Sequence, residues 1–69
     1  MRNGEEEMIF GTIVKVTIGF YLGCIGTVRD QAGDSTYLVH LECEADRTYY
    51  QIKAWFKPEE LEVVKLPKL

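Results

Sequence analysis

The chain has 69 residues, 46% of them apolar, and a formal net charge of −3. A chain this short forms one domain with a single small core, and its apolar and aromatic content excludes a largely disordered protein. Its net negative charge provides no long-range attraction for the phosphate backbone of nucleic acids, which disfavours that class of partner.

The chain opens on an acidic segment with three consecutive glutamates and no hydrophobic periodicity. This pattern predicts a disordered acidic leader at residues 1–8, a folded domain at residues 9–66 and a tail at residues 67–69. The opening lacks a basic start followed by an apolar run, so we expect neither a signal peptide nor a membrane span. A reducing cytoplasm is the expected location.

Period-two alternation begins after Phe10 and predicts a first strand with Val14, Val16 and Ile18 on one face. A second strand is predicted over about residues 23–30. The glycines between and within these strands suit sharp turns. We therefore expect at least one of Gly19, Gly23 and Gly26 to have positive φ, and Gly26 to lie where two strands approach too closely for a Cβ atom.

The remainder of the chain alternates short apolar runs with turn residues. It predicts a third strand at about 36–42, a fourth at 48–55 and a last strand at 61–64, with hairpin turns at 31–35 and 44–47. Pro58 precedes two glutamates and predicts one short helical turn before the last strand. The predicted fold is all-β: a small five-stranded closed barrel.

The first two predicted strands also resemble a known motif. The segment GTIVKVTIGFYLGCIGTV, residues 11–28, is similar to the KOW motif, whose pattern is roughly G-x-x-V-x-V-x-x-G-x-(Y/F)-x-G-x-x-G-x-V. The motif occurs in NusG-type transcription factors and in several ribosomal proteins. The resemblance implies an SH3-like barrel of KOW type, and it extends loosely to about residue 65. KOW loops that touch nucleic acid are typically basic, whereas this loop carries Phe20, Leu22 and Cys24.

Alternation along the third and fourth strands predicts which side chains face outward. Tyr37, Val39 and Leu41 are expected inside with Tyr50, Ile52 and Ala54, and the intervening residues outside. Surface aromatic and apolar residues often mark partner sites. The candidate partner-binding residues are Tyr21, Tyr49, Trp55 and Leu38.

Two alternatives to a binding surface stay open at this point. Loops and tail could cover the outward apolar residues, or the strand register could be shifted by one residue. In the first loop, Phe20 and Tyr21 could fold back to cap the core, an arrangement favoured more for Phe20 than for Tyr21.

The sequence offers little support for catalysis, a metal or a cofactor. His40 is the single histidine, and with Cys43 it would point to opposite faces of one strand, so neither a metal site nor an enzyme is expected. Cys24 and Cys43 are predicted to be small buried thiols at the same level of the second and third strands, close enough to cross-link under oxidation. A native disulfide is disfavoured in a reducing compartment.

The preferred function is a non-catalytic interaction module that binds a protein partner or a second copy of itself. The first alternative is a KOW-type RNA-binding protein of a transcription or translation complex. Its phosphate contacts would be Lys15, Arg29, Arg47 and Lys53, and Tyr21 or Trp55 would provide a stacking surface. The second alternative is an accessory barrel subunit of a larger assembly. A continuous positive stripe would favour nucleic acid, and a mixed face with exposed Trp55 would favour protein.

Overall fold

The computed structural model describes residues 8–33 and 35–67, and their backbone forms one antiparallel sheet. The elements follow the predicted order: β1 Ile13–Val16, β2 Ile25–Gln31, β3 Tyr37–Ala45, β4 Thr48–Phe56, a 3₁₀ turn at Pro58–Glu60 and β5 Leu61–Lys65. Across the sheet the strands lie in the order β4-β3-β2-β1-β5. The all-β class, the five strands and the turn before the last strand are confirmed.

The closed barrel that the sequence predicts is not observed. Within the described part of the chain, β4 pairs only with β3 and β5 only with β1, so these two strands are the open edges of the sheet. The β3–β4 hairpin has nine residues per strand, whereas β1 has four and β5 has five. Because β1 and β5 are so short, they cannot line the whole hairpin.

The loop between β1 and β2 depends on glycine conformations, as predicted. Gly19 and Gly23 have φ values of 93° and 91°, a region that disfavours side chains with a Cβ atom. Leu22 N–H donates to Gly19 O at 3.1 Å, and Gly23 N–H donates to Val16 O at 2.8 Å. These bonds close a tight turn, and β1 therefore ends at Val16 rather than continuing to Ile18, which is exposed.

Gly26 confirms the second glycine prediction by a different mechanism. Its φ is not positive, but a Cβ atom built on it would collide with the carbonyl oxygen of His40 and lie 2.9 Å from Leu41 Cα. Gly26 is paired with Leu41 in the centre of the sheet. Only a residue without a side chain allows this approach of β2 to β3.

The core lies on one face of the sheet, which we call the inner face. Alternate residues of β1, β2 and β3 supply it, as the period-two pattern predicts. Its buried members are Met8, Val14, Val16, Val28, Tyr37, Val39, Leu41, Cys43 and Phe56. Strand β4 contributes only Phe56 to this set, with Ile52 and Ala54 half-buried. Tyr50 has the predicted inward register but remains 41% exposed, because no strand covers that end of the hairpin.

Two local irregularities shape the hairpins. In β2 the pairing shifts between Val28 and Asp30, so Arg29 occupies a β-bulge. The β3–β4 turn has two central residues, Asp46 and Arg47, whose φ values of 52° and 65° are both positive. This combination is characteristic of a type I′ turn, the geometry that best matches the twist of two-residue hairpins.

Both ends of the described chain pack against the sheet. Met8, which the sequence prediction assigns to the leader, is buried in the core; residues 1–7 of that leader lie outside the described residues. At the other end Pro67 lies beside Gly11, 3.5 Å from where a Cβ atom would be. Met8 and Pro67, which the sequence prediction assigns to the leader and to the tail, therefore pack against the described part of the fold.

Candidate functional site: the outer face of the sheet

The sheet face opposite the core, here called the outer face, carries an apolar pair at one end of the β3–β4 hairpin. Leu38 on β3 lies directly opposite Trp55 on β4. Leu38 is half-buried and Trp55 is 51% exposed. Aromatic side chains opposite aliphatic ones stabilise a sheet by contact on the same face. The predicted outward register of both residues is confirmed, and within residues 8–33 and 35–67 no loop covers the indole.

The bulge in β2 aims Arg29 at a second exposed aromatic residue. The guanidinium carbon of Arg29 lies 4.8 Å from the centroid of the Phe10 ring, which is the geometry of a cation–π contact. Arg29 and Asp30 together oppose Leu38, because the bulge adds one residue to this strand. Phe10 is thereby held at the same end of the sheet as Leu38 and Trp55.

His40 lies at the centre of the outer face between charged neighbours. It pairs with Thr27 on β2 and with Lys53 on β4. Partial burial lowers the pKa of His40 below its usual 6.5, and the positive charges of Arg29 and Lys53 lower it further. The structure therefore brings Arg29 and Lys53 of the predicted basic set together around one imidazole.

The other two predicted basic residues lie elsewhere. Lys15 on β1 is flanked by Ile25 on β2 and by Glu62 on β5. Arg47 occupies the β3–β4 turn, at the opposite end of the hairpin from Trp55. The outer face thus carries mixed charges, and a continuous positive stripe through Lys15, Arg29 and Lys53 is not observed.

Tyr49 is exposed, as predicted, but it does not join the Trp55 surface. It is 74% exposed and pairs with Glu44 near the hairpin turn. Trp55 lies six positions after Tyr49 along β4, a separation of about 20 Å in an extended strand. Tyr49 instead borders a depression with Leu22 and Cys24 at the far end of the sheet.

The ring that caps the core is Tyr21, whereas the sequence favours Phe20 for this position. Tyr21 is half-buried against the core, and its ring packs edge-on against Phe56 with centroids 6.4 Å apart. Phe20 is 91% exposed and contacts Tyr21 at 5.1 Å. Tyr21 therefore caps the inner face and does not lie with Leu38 and Trp55.

The two thiols meet at the end of the inner face. Ile25 pairs with Glu42, so Cys24 lies opposite Cys43, as predicted. Cys43 is buried, whereas Cys24 is half-buried. Burial raises the pKa of Cys43 to about 11, and the neighbouring thiol of Cys24 acts in the same direction. Burial also raises the pKa of Tyr50, and the nearby Cys43 raises it further.

The chemistry available elsewhere in the described ranges is limited. Among residues 8–33 and 35–67, no three His, Cys, Asp or Glu side chains are grouped so that they could bind a metal ion. In the same residues no helix is long and apolar enough to cross a membrane.

Phe10 belongs to the outer face although the sequence pattern does not identify it as a surface residue. It is exposed and contacts Arg29. The contact depends on the β2 bulge, which has no clear signal in the sequence.

Comparisons of the chain with protein-family models, with curated proteins and with solved structures found no significant match.

Proposed function

We propose that the protein is a non-catalytic interaction module that binds another protein through the outer face of its sheet. The observation that carries the proposal is the exposed indole of Trp55 beside Leu38, with Phe10 held nearby by Arg29. Tryptophan and arginine are enriched among the residues that dominate protein–protein binding energies. The mixed charge around this apolar pair is typical of a protein interface with a polar rim.

The proposal extends to the fold family and to the location. An open-sheet relative of the SH3-like KOW fold is supported by the five antiparallel strands, by the 3₁₀ turn before β5 and by the positive φ values at the motif positions Gly19 and Gly23. A cytoplasmic location completes the proposal.

One observation favours the alternative of RNA binding. Arg29, Lys53 and His40 lie together on the outer face, and the exposed rings of Phe10 and Trp55 could stack on bases. The net charge of −3 opposes this alternative. RNA binding would also have to use Arg29, His40 and Lys53 alone, because Lys15 and Arg47 lie apart from these three residues.

The test is affinity purification of the tagged chain from its native cells, followed by binding measurements with the purified partner. We expect Trp55→Ala to abolish binding while leaving the melting temperature nearly unchanged. Phe20→Ala is the matched control, because it removes an even more exposed aromatic ring from a loop away from the outer face. A folded Trp55→Ala variant that binds like the wild type would contradict the proposed surface.

The alternatives give different results in the same experiment. Fluorescence anisotropy with labelled single-stranded RNA should show no binding at physiological salt. Sub-micromolar binding that weakens with salt, with a slope of roughly −0.7 per phosphate contact, would establish RNA binding instead. An accessory subunit would copurify in fixed stoichiometry with a multi-subunit assembly.

A further inference from the structure

The two edges of the sheet differ in how they are protected against pairing with another strand. Exposed edges are usually blunted by short strands, prolines, bulges or charged residues. β5 is five residues long, has a register irregularity in its pairing with β1, ends at Lys65 and is followed by Pro67. The β5 edge therefore has several of the features that usually prevent pairing with another strand.

The β4 edge has almost none of these devices. It pairs with β3 over nine consecutive residues without a register shift, contains no proline and carries one charged side chain, Lys53. All of its residues except Ile52, Ala54 and Phe56 are exposed. A long regular edge of this kind is a template for a further strand.

The hairpin turn determines which backbone groups of β4 face the open edge. Ala45 and Thr48 close a two-residue type I′ turn, so they form a hydrogen-bonded pair and the pairs alternate from there. The backbone N–H and C=O groups of every second residue of β4 therefore point away from β3. These residues are Tyr49, Gln51, Lys53 and Trp55.

We propose that the open edge of β4 pairs antiparallel with β4 of a second copy of this chain, about a two-fold axis at Ile52. This proposal rests on the proposed interaction function and names one partner for it. Ile52 is the midpoint of the strand. An axis at this residue pairs all nine residues, and it aligns outward-pointing backbone groups with outward-pointing groups of the partner copy.

The side chains of β4 are complementary to themselves in this register. On the outer face Tyr49 of one copy lies opposite Trp55 of the other, and Gln51 lies opposite Lys53, so no like charges are directly opposed. On the inner face the exposed ring of Tyr50 lies opposite the small Ala54. The pairing thus covers the aromatic residues that the isolated hairpin leaves exposed.

Charge substitutions at Gln51 test the register. Gln51→Glu places a carboxylate opposite Lys53 of the other copy, and Gln51→Lys places two ammonium groups opposite each other. Each change acts twice per dimer. We expect Gln51→Glu to tighten the dimer roughly fivefold and Gln51→Lys to weaken it by a similar factor. Within one chain the effects have the opposite sign, because Gln51 pairs with Glu42. Changes in monomer stability cannot therefore mimic the expected result.

The measurement is sedimentation equilibrium of the full chain over about 1 μM to 1 mM protein. Gln31→Glu and Gln31→Lys are matched controls, because Gln31 is an exposed glutamine at the end of β2, and they should leave the dimer unchanged. A chain that stays monomeric throughout would overturn self-pairing. A dimer in which the Gln51 variants behave like the Gln31 variants, or in which both Gln51 changes weaken it, would overturn the β4 register. If the chain is monomeric but Trp55→Ala still abolishes capture of a different protein, only the self-pairing fails and the interaction function stands.

Discussion

Replacing Gly26 by alanine is the most direct test of the sheet architecture. Gly26 pairs with Leu41 in the middle of the sheet, where β2 approaches β3 most closely. The added Cβ atom would collide with the carbonyl oxygen of His40 and lie 2.9 Å from both the His40 carbonyl carbon and Leu41 Cα. All three obstacles are backbone atoms, so no side-chain rotation can relieve the contact.

The cost follows from the movement that the strands must make. A normal contact of about 3.4 Å or more requires β2 and β3 to separate by roughly half an ångström or more. Overpacking of this kind costs about 1–3 kcal/mol. The flanking pairs Ile25↔Glu42 and Thr27↔His40 would also stretch, and each weakened hydrogen bond adds up to about 1 kcal/mol. We therefore expect a loss of about 3 kcal/mol, a large share of the roughly 3–10 kcal/mol typical for a chain of this length.

Alanine variants at two other glycines distinguish the effect of this collision from the effect of backbone strain. A Cβ atom on Gly19 would meet nothing within 4 Å, but Gly19 has a φ of 93°, so Gly19→Ala should cost about 1–2 kcal/mol. Gly33 has open space and no left-handed φ, so Gly33→Ala should change stability by less than about 0.5 kcal/mol. Urea unfolding, followed by far-ultraviolet circular dichroism, measures all three variants. If Gly26→Ala costs no more than Gly33→Ala, the close approach of β2 to β3 is wrong.

Three further predictions concern single side chains. Arg47→Gly should stabilise the protein by about 1 kcal/mol in urea unfolding, because Arg47 occupies a left-handed turn position with φ 65°; a loss of stability would contradict the turn geometry. His40 should titrate below pH 6.5 in an NMR titration, because burial, Arg29 and Lys53 disfavour its charged form. Protonation of His40 is therefore easier in the unfolded chain, and it lowers the free energy of unfolding as pH falls below 6.5. Lys53→Met should raise the pKa of His40, and an unchanged pKa would show that Lys53 is not a cause of the shift. Burial holds the pKa of Cys43 at about 11, above its ordinary 9.0. Between these two pH values the unfolded chain loses a proton that the folded chain keeps, so the free energy of unfolding should decrease as pH rises through this range. Cys43→Ala should lack that part of the decline, and equal declines in both proteins would refute the assignment.

The elements of the fold could be predicted because they depend on local pattern. The alternation in β3 correctly predicts that Val39 and Leu41 are buried and that Leu38 and His40 face outward. The prediction succeeds because one face of this strand packs on the core. The same alternation extended β1 too far, to Ile18, because an apolar residue in a loop has the same appearance as one in a strand. Barrel closure was predicted wrongly because it depends on the relative lengths of strands that are distant in sequence.

The candidate site was predictable only in part. The outward positions of Trp55 and Leu38 could be predicted from the alternation along β3 and β4, because a single hairpin turn fixes the register of both strands. The contact between Arg29 and Phe10 could not be predicted, because it requires a bulge that adds one residue to β2. The exchange between Phe20 and Tyr21 has a similar origin: a glycine-rich turn determines which ring meets Phe56, and composition does not specify its path.

The distribution of buried side chains separates stability from binding in this small chain. Among the described residues, β3 supplies four of the buried core residues and β1 supplies two, while β4 supplies only Phe56 at its end. β4 is therefore held mainly by its ladder with β3 and by partial burial of Ile52 and Ala54. A strand with so little of its own surface buried gains considerably when a partner covers it, since the ladder is already formed and little further ordering is required. The exposed aromatic residues of β4, Tyr49, Tyr50 and Trp55, thus contribute little to folding in the isolated chain, and we expect their burial to contribute to the proposed association instead.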